Sequence, residues 1–143
     1  MMNVKMKLEV GAYAPTYADK GCAGADLYLY GEDVAIEPGE TKVCRTGVRL
    51  EIPEGFTGLI FARSGLATKK GLTPANCVGV IDSSFRGEIM VALRNHSRHR
   101  QEVNTGERMA QLVILPALHI DFISVQELSK TQRGEGGFGS TGA

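Results

Sequence analysis

The chain has 143 residues, no formal net charge, and 43% hydrophobic and 22% charged residues. That length holds one domain with a real core. The neutral balance argues against bulk nucleic-acid binding, which draws on a basic excess, and no apolar run approaches the ~18 residues of a membrane helix.

In chain order, Val4-Lys5-Met6-Lys7-Leu8-Glu9-Val10 alternates apolar and polar residues, the pattern of a half-buried strand. The alternation of charge and apolarity also marks no secretory leader. Glu37-Pro38-Gly39-Glu40 is a turn, with proline presetting φ and glycine free to take a positive one. Val48-Arg49-Leu50-Glu51-Ile52 repeats the strand pattern and stops at Pro53. Further short strands are expected over 56–62, 78–81, 88–93 and 109–115, and a last one over 119–128. One helix is expected, near Ser64 to Lys70, with Ser64 as its cap and Gly71 as its end. Many short strands between Gly, Pro, Asn and Asp turns indicate an all-β sandwich or barrel over residues 1–129. With tryptophan absent and aromatics at 6%, its core must be mostly aliphatic. Residues 130–143 carry five glycines and a single large apolar residue, Phe138. Such a segment buries too little to offset its ordering entropy, and is expected to be mobile alone. Phe138, with Arg133 before it and Ser140 and Thr141 after it, nevertheless makes a strap suited to a nucleotide. Cys22, Cys44 and Cys77 are isolated and odd in number, which fits reduced thiols in a cytoplasm.

Several segments carry chemistry. Arg63-Ser64-Gly65 stands at a strand-to-helix junction, where free N–H groups and the positive dipole end suit phosphate oxygens and glycine permits close approach. A purely structural cap explains the same residues. Asp82 lies where an apolar strand, Gly79-Val80-Ile81, enters the turn of an expected β-hairpin running to Met90. There it can be a general base for water, or a turn aspartate bonding its own backbone. Asp26, in Ala23-Gly24-Ala25-Asp26-Leu27, precedes a strand. Gln111, in Gly106-Glu107-Arg108-Met109-Ala110-Gln111-Leu112, lies inside one and needs a partner, either backbone or ligand.

Together these segments resemble, in order, the five motifs of the trimeric dUTP pyrophosphatase family: Ala23–Leu27, Arg63–Gly65, Gly79–Glu88, Gly106–Leu112 and Arg133–Gly142. The resemblance spans nearly the whole chain. It implies a distorted β jelly-roll, a homotrimer with active sites between subunits, and a C-terminal lid. The implied reaction is hydrolysis of dUTP to dUMP and pyrophosphate, which keeps uracil out of DNA and supplies dUMP for thymidylate synthesis. By the same resemblance Asp82 is the general base. Asp26 acts on a Mg²⁺ ion through water. Arg63, Ser64, Gly65 and Gln111 contact phosphates, and Arg133, Ser140 and Thr141 hold the outer ones. Asn76, Val80, Ile81 and Met90 belong to the uracil hairpin, and Phe138 stacks on the base. Phe85 stands where the family usually has tyrosine under the deoxyribose; it keeps the flat apolar face and loses the phenol.

Other classes fit less well. A dCTP deaminase shares the implied fold, but needs a catalytic glutamate in its own motif and normally lacks the glycine-rich fifth segment. A regulatory binding protein on the same scaffold would not need intact Asp82 and Gln111. Arg94-Asn95-His96-Ser97-Arg98-His99-Arg100 is locally basic, yet such a run is commonly a solvated loop. His96 and His99 supply only two ligands for a metal, with no Cys-x-x-Cys to add.

Overall fold

The computed structural model describes residues 3–137. Eleven strands run through them: β1 (Lys5–Leu8), β2 (Ala25–Tyr28), β3 (Val34–Ile36), β4 (Thr41–Arg45), β5 (Val48–Glu51), β6 (Phe56–Ala62), β7 (Leu72–Pro74), β8 (Gly79–Ile81), β9 (Met90–Asn95), β10 (Gln101–Val103) and β11 (Arg108–Pro116). One π-helical turn, Leu66–Lys70, interrupts them. All the strand pairings are antiparallel. The fold is therefore the all-β jelly-roll arrangement with one short helix.

The largest sheet has the order β2-β11-β6-β8; a second has β4-β9-β7; β1-β5 and β3-β10 form two-stranded ribbons. Between the sheets Leu27, Leu29, Ile36, Val48, Ile52, Leu72, Ile89, Leu93, Val103 and Met109 are almost wholly buried. No aromatic residue is in the fully buried core of the described residues, as the composition requires. The buried polar side chains are satisfied. Asn95, with no exposure, donates to the carbonyls of Ile36 and His99 and accepts from Ser97. It thereby pins the basic run 94–100, whose Arg100 also pairs with Glu37 and Glu102.

Several expectations are corrected. The segment 79–90 is not a β-hairpin: β8 pairs with β6, while β9 pairs with β4 and β7. The turn after Asp82, closed by the Phe85 N–H to the Asp82 carbonyl, carries the chain from one sheet to the other. The stretch 119–128 forms no strand; it is exposed throughout, with Ile120, Phe122, Ile123, Val125 and Leu128 all facing outward. Among the described residues it pairs with no strand. β1 is a strand, but all four of its residues are exposed rather than half-buried. Asp26 lies within β2 rather than before it. Ser64 makes no side-chain cap, whereas Gly71 does end the helical turn, at φ +66° with its N–H on the Leu66 carbonyl. β3, β4, β7 and β10 are additional strands of three to five residues.

Candidate functional site

Asp26 is the natural starting point, because a carboxylate only 7% exposed needs compensating charge. It sits in the middle of edge strand β2, directly across from Gln111 on β11. Arg63, at the end of β6, donates from Nε to Asp26 Oδ1 at 2.7 Å. Arg108, at the start of β11, donates from Nη1 to Oδ2 at 3.4 Å. One anion thus gathers two cations, leaving the cluster with an excess positive charge.

Gln111 donates from Nε2 to the Ala62 carbonyl at 3.3 Å, which fixes its amide beside Arg63. The Gly24 backbone lies so close to Gln111 that a Cβ there would stand 2.6 Å from Oε1. Asp26, Arg63, Ser64, Gln111, Gly24 and Cys22 line a common cleft of about 260 Å³. Gly65 borders it with ordinary φ −64°, and a Cβ on it would meet nothing in the chain. Its lack of a side chain serves no packing among the described residues. A larger cleft of about 560 Å³ lies beside Ser83, Ser84 and Arg86, but the Lys5 and Glu51 that line it are already paired with each other.

The second group of expected residues lies elsewhere. β8 is the opposite edge of the same sheet, paired only with β6, so one side of its backbone is open. Val80 is exposed on it, and Asp82, also exposed, follows directly. The Asn76 amide approaches Gly79: a Cβ there would be 3.6 Å from Nδ2. Between them Cys77 takes φ +62°, and the Val78 N–H reaches the Asn76 carbonyl at 2.7 Å, a γ-turn. The Phe85 ring, 41% exposed, lies against Gly87, where a Cβ would stand 2.5 Å from Cζ. Arg86 Nη1 braces this turn by donating to the carbonyls of Ser83 and Phe85. Met90 opens β9 and is half-exposed.

The two groups do not meet in one chain. Ile81 is level with Gly58 on β6, whereas Arg63 follows the far end of that strand. At ~3.3 Å per residue, plus the step between strands, Asp82 and Arg63 are on the order of 20 Å apart. Arg133 is exposed and bonds the Gly136 carbonyl at 2.8 Å, joining neither group in the described bonds. Phe138, Ser140 and Thr141 lie outside the described residues. Gly24 lines the cleft and Arg108 backs it through Asp26; sequence reasoning singled out neither, although both stand inside quoted motifs.

Among the described residues no three His, Cys, Asp or Glu side chains converge as a metal cage, and no helix is long and apolar enough to cross a membrane. The donor set, one carboxylate with each oxygen already facing a guanidinium, suits a cation brought by an anionic ligand and met through water.

A family model described as dUTPase matches residues 11–142. The deoxyuridine 5'-triphosphate nucleotidohydrolase of Nautilia profundicola is 50% identical over 142 residues, 99% of each chain. That of Hydrogenobaculum sp. is 47% identical over 136 residues, 95% of this chain and 94% of the relative. Among solved structures, the dUTPase of Staphylococcus bacteriophage 80alpha with dUPNHPP aligns over the whole of both chains, with TM-score 0.87 and 31% identity. A mutant dUTPase from phage phi11 of S. aureus, described as revealing the coordination of a structural Mg(II) ion, aligns over 90% of this chain with TM-score 0.82 and 26% identity.

Proposed function

The chain belongs to the dUTPase family and hydrolyses dUTP, and on that premise we propose how its residues divide the reaction. Asp82 orients a water molecule and takes its proton as the water oxygen attacks the α-phosphorus. The bond from that phosphorus to the bridging oxygen breaks on the opposite side, giving dUMP and pyrophosphate. Chemistry of this kind depends on in-line placement and charge neutralisation more than on covalent help. The Asp26–Arg63–Ser64–Gln111 cleft is the observation that carries the assignment. It offers a cation, a hydroxyl and an amide at one small opening, with Gly65 leaving room for phosphate oxygens.

Mg²⁺ bound by the triphosphate would add charge neutralisation and fix the phosphate conformation, with Asp26 touching it through water. Asp26 itself holds Arg63 in place. On the other side, the open backbone edge near Val80 and Ile81 pairs with uracil, and the Asn76 amide selects it against cytosine, since mispaired buried donors are costly. Met90 and Phe85 enclose the nucleoside, Phe85 under the deoxyribose.

Because Asp82 and Arg63 stand at opposite ends of neighbouring strands, on the order of 20 Å apart, a complete site takes them from different copies. This supports a homotrimer with sites between subunits. The exposed apolar residues of 118–128 give the assembly surface to bury. Residues 1–129 form the β domain and 130–143 the lid. In the lid Arg133, Ser140 and Thr141 hold the outer phosphates and Phe138 covers the base. Three free cysteines support a reducing cytoplasm as the working compartment. No membrane or nucleic-acid partner enters this reading.

The test is pyrophosphate release from dUTP, dTTP, dCTP and UTP in parallel, with and without Mg²⁺. Rapid release from dUTP alone, dependent on Mg²⁺, is expected. Absence of release from dUTP, or ammonia from dCTP, would overturn the reading.

A further inference from the structure

The segment from Arg63 to Lys70 is tied at both ends, and the two ties meet. At the front, Arg63 is held by Asp26. At the back, Lys70 Nζ donates to Glu107 Oε1 at 2.9 Å and to the Glu102 carbonyl at 2.7 Å. Glu107 is itself fixed: its Oε2 accepts the Asn104 N–H at 3.0 Å and its carbonyl accepts the Leu29 N–H at 3.0 Å. The next residue, Arg108, reaches back to Asp26. The path Asp26, Arg63, helical turn, Lys70, Glu107, Arg108 and again Asp26 is closed.

Between its ties the segment has little support of its own. Ser64, Gly65, Thr68 and Lys69 are exposed, and Leu66 is the residue buried in the core. A single helical turn does not stand alone in water, and π geometry is rarely used for its stability. The backbone N–H groups at Ser64 and Gly65 therefore take their direction from the two anchors.

We infer that Lys70 and Glu107 are positioning residues for the phosphate contacts of Arg63, Ser64 and Gly65. This rests on the phosphate role given to those three residues above. The Lys70 and Glu107 side chains are 32% and 28% exposed, so solvent screens the pair and its worth to the fold is small. Its effect on the loop is larger, because displacement of a binding group by about 1 Å can cost a large factor in rate or affinity. Phosphate contacts made equally in the ground and transition states appear in KM rather than kcat.

The experiment measures dUTP kinetics, melting temperature and assembly for the full-length variants Glu107→Gln, Lys70→Met, Lys70→Arg and Arg63→Gln. Glu107→Gln and Lys70→Met should each raise KM about five- to tenfold with kcat within about twofold, in folded assemblies. The inhibition constant of inorganic tripolyphosphate should rise by the same factor. Lys70→Arg, which keeps both bonds, should return KM to within about twofold of the parent. Unchanged KM in both Glu107→Gln and Lys70→Met, or loss of fold in both, would overturn the inference. So would Lys70→Arg being as harmful as Lys70→Met. If Arg63→Gln raises KM while Glu107→Gln does not, only the positioning role fails. If Arg63→Gln leaves KM unchanged, the phosphate reading fails and this inference falls with it.

Discussion

Asp82 and Phe85 belong to one braced turn and answer to different tests. Asp82 is exposed at the end of an edge strand, so substitution there should not disturb the core. Asp82→Asn should lower kcat by a factor of about 10²–10⁴, the range for loss of a general base, with binding of a non-hydrolysable dUTP analogue nearly unchanged. A variant that keeps its turnover would remove Asp82 from the mechanism. The tip of the Phe85 ring, Cζ nearest, lies against Gly87, and a phenol would leave the apolar ring face assigned to the deoxyribose unchanged. Phe85→Tyr should therefore leave kcat within a fewfold, and a rise of about tenfold or more would show that the hydroxyl matters. At this scale the sequence was informative where a motif carried the residue: Asp26, Arg63 and Gln111, from three separate motifs, do converge. Arg108, Lys70 and Glu107 were not distinguishable, because no motif role marked them and only the fold reveals their pairings.

Among the elements, the instructive error is the segment 79–90. Strand, polar turn and strand read locally as a hairpin, yet the two strands enter different sheets. The reason is a staple just before β9. Glu88 accepts both Nε and Nη2 of Arg45, and also the Gly47 N–H at 2.8 Å, which draws the outgoing chain to the β4–β5 corner. Burial pushes the Glu88 carboxyl up, but the Arg45 and Gly47 bonds outweigh it and hold it below its usual value. A carboxyl lowered in the folded state contributes stability above its unfolded pKa of about 4.3, and that contribution is lost as pH falls through the depressed value. The urea midpoint should therefore fall as pH drops below about 4.5. In Glu88→Gln it should be lower at neutral pH and fall less steeply on acidification. An identical acid slope in both proteins would contradict the staple. β3, β4, β7 and β10 were not legible, unlike the equally short β1, β5 and β8, which lie in clearer apolar patterns. Three to five residues hold too few alternations to show a period, and their partners are remote in sequence.

For the whole molecule, one chain leaves two things unfinished. The expected last strand, 119–128, has its apolar residues facing outward and pairs with no strand among the described residues. The residues assigned to uracil and water lie about the length of β6 away from Arg63, which is assigned to phosphate. The all-β class and the aliphatic core followed from composition and turn chemistry. The proposed sharing of the site between copies did not follow from them and came from the family resemblance, because a contact between copies leaves no mark on the order of motifs along one chain. The division is tested most directly by complementation. Asp82→Asn, with its turnover lost, and Arg63→Gln, only weakly active at dUTP far below its raised KM, are unfolded together at equal amounts, reassembled and assayed at that low dUTP concentration. If each site takes Asp82 from one copy and Arg63 from another, random assembly restores roughly a quarter of the parental activity. Mixed assemblies that form but remain as inactive as either variant alone would contradict a site shared between copies.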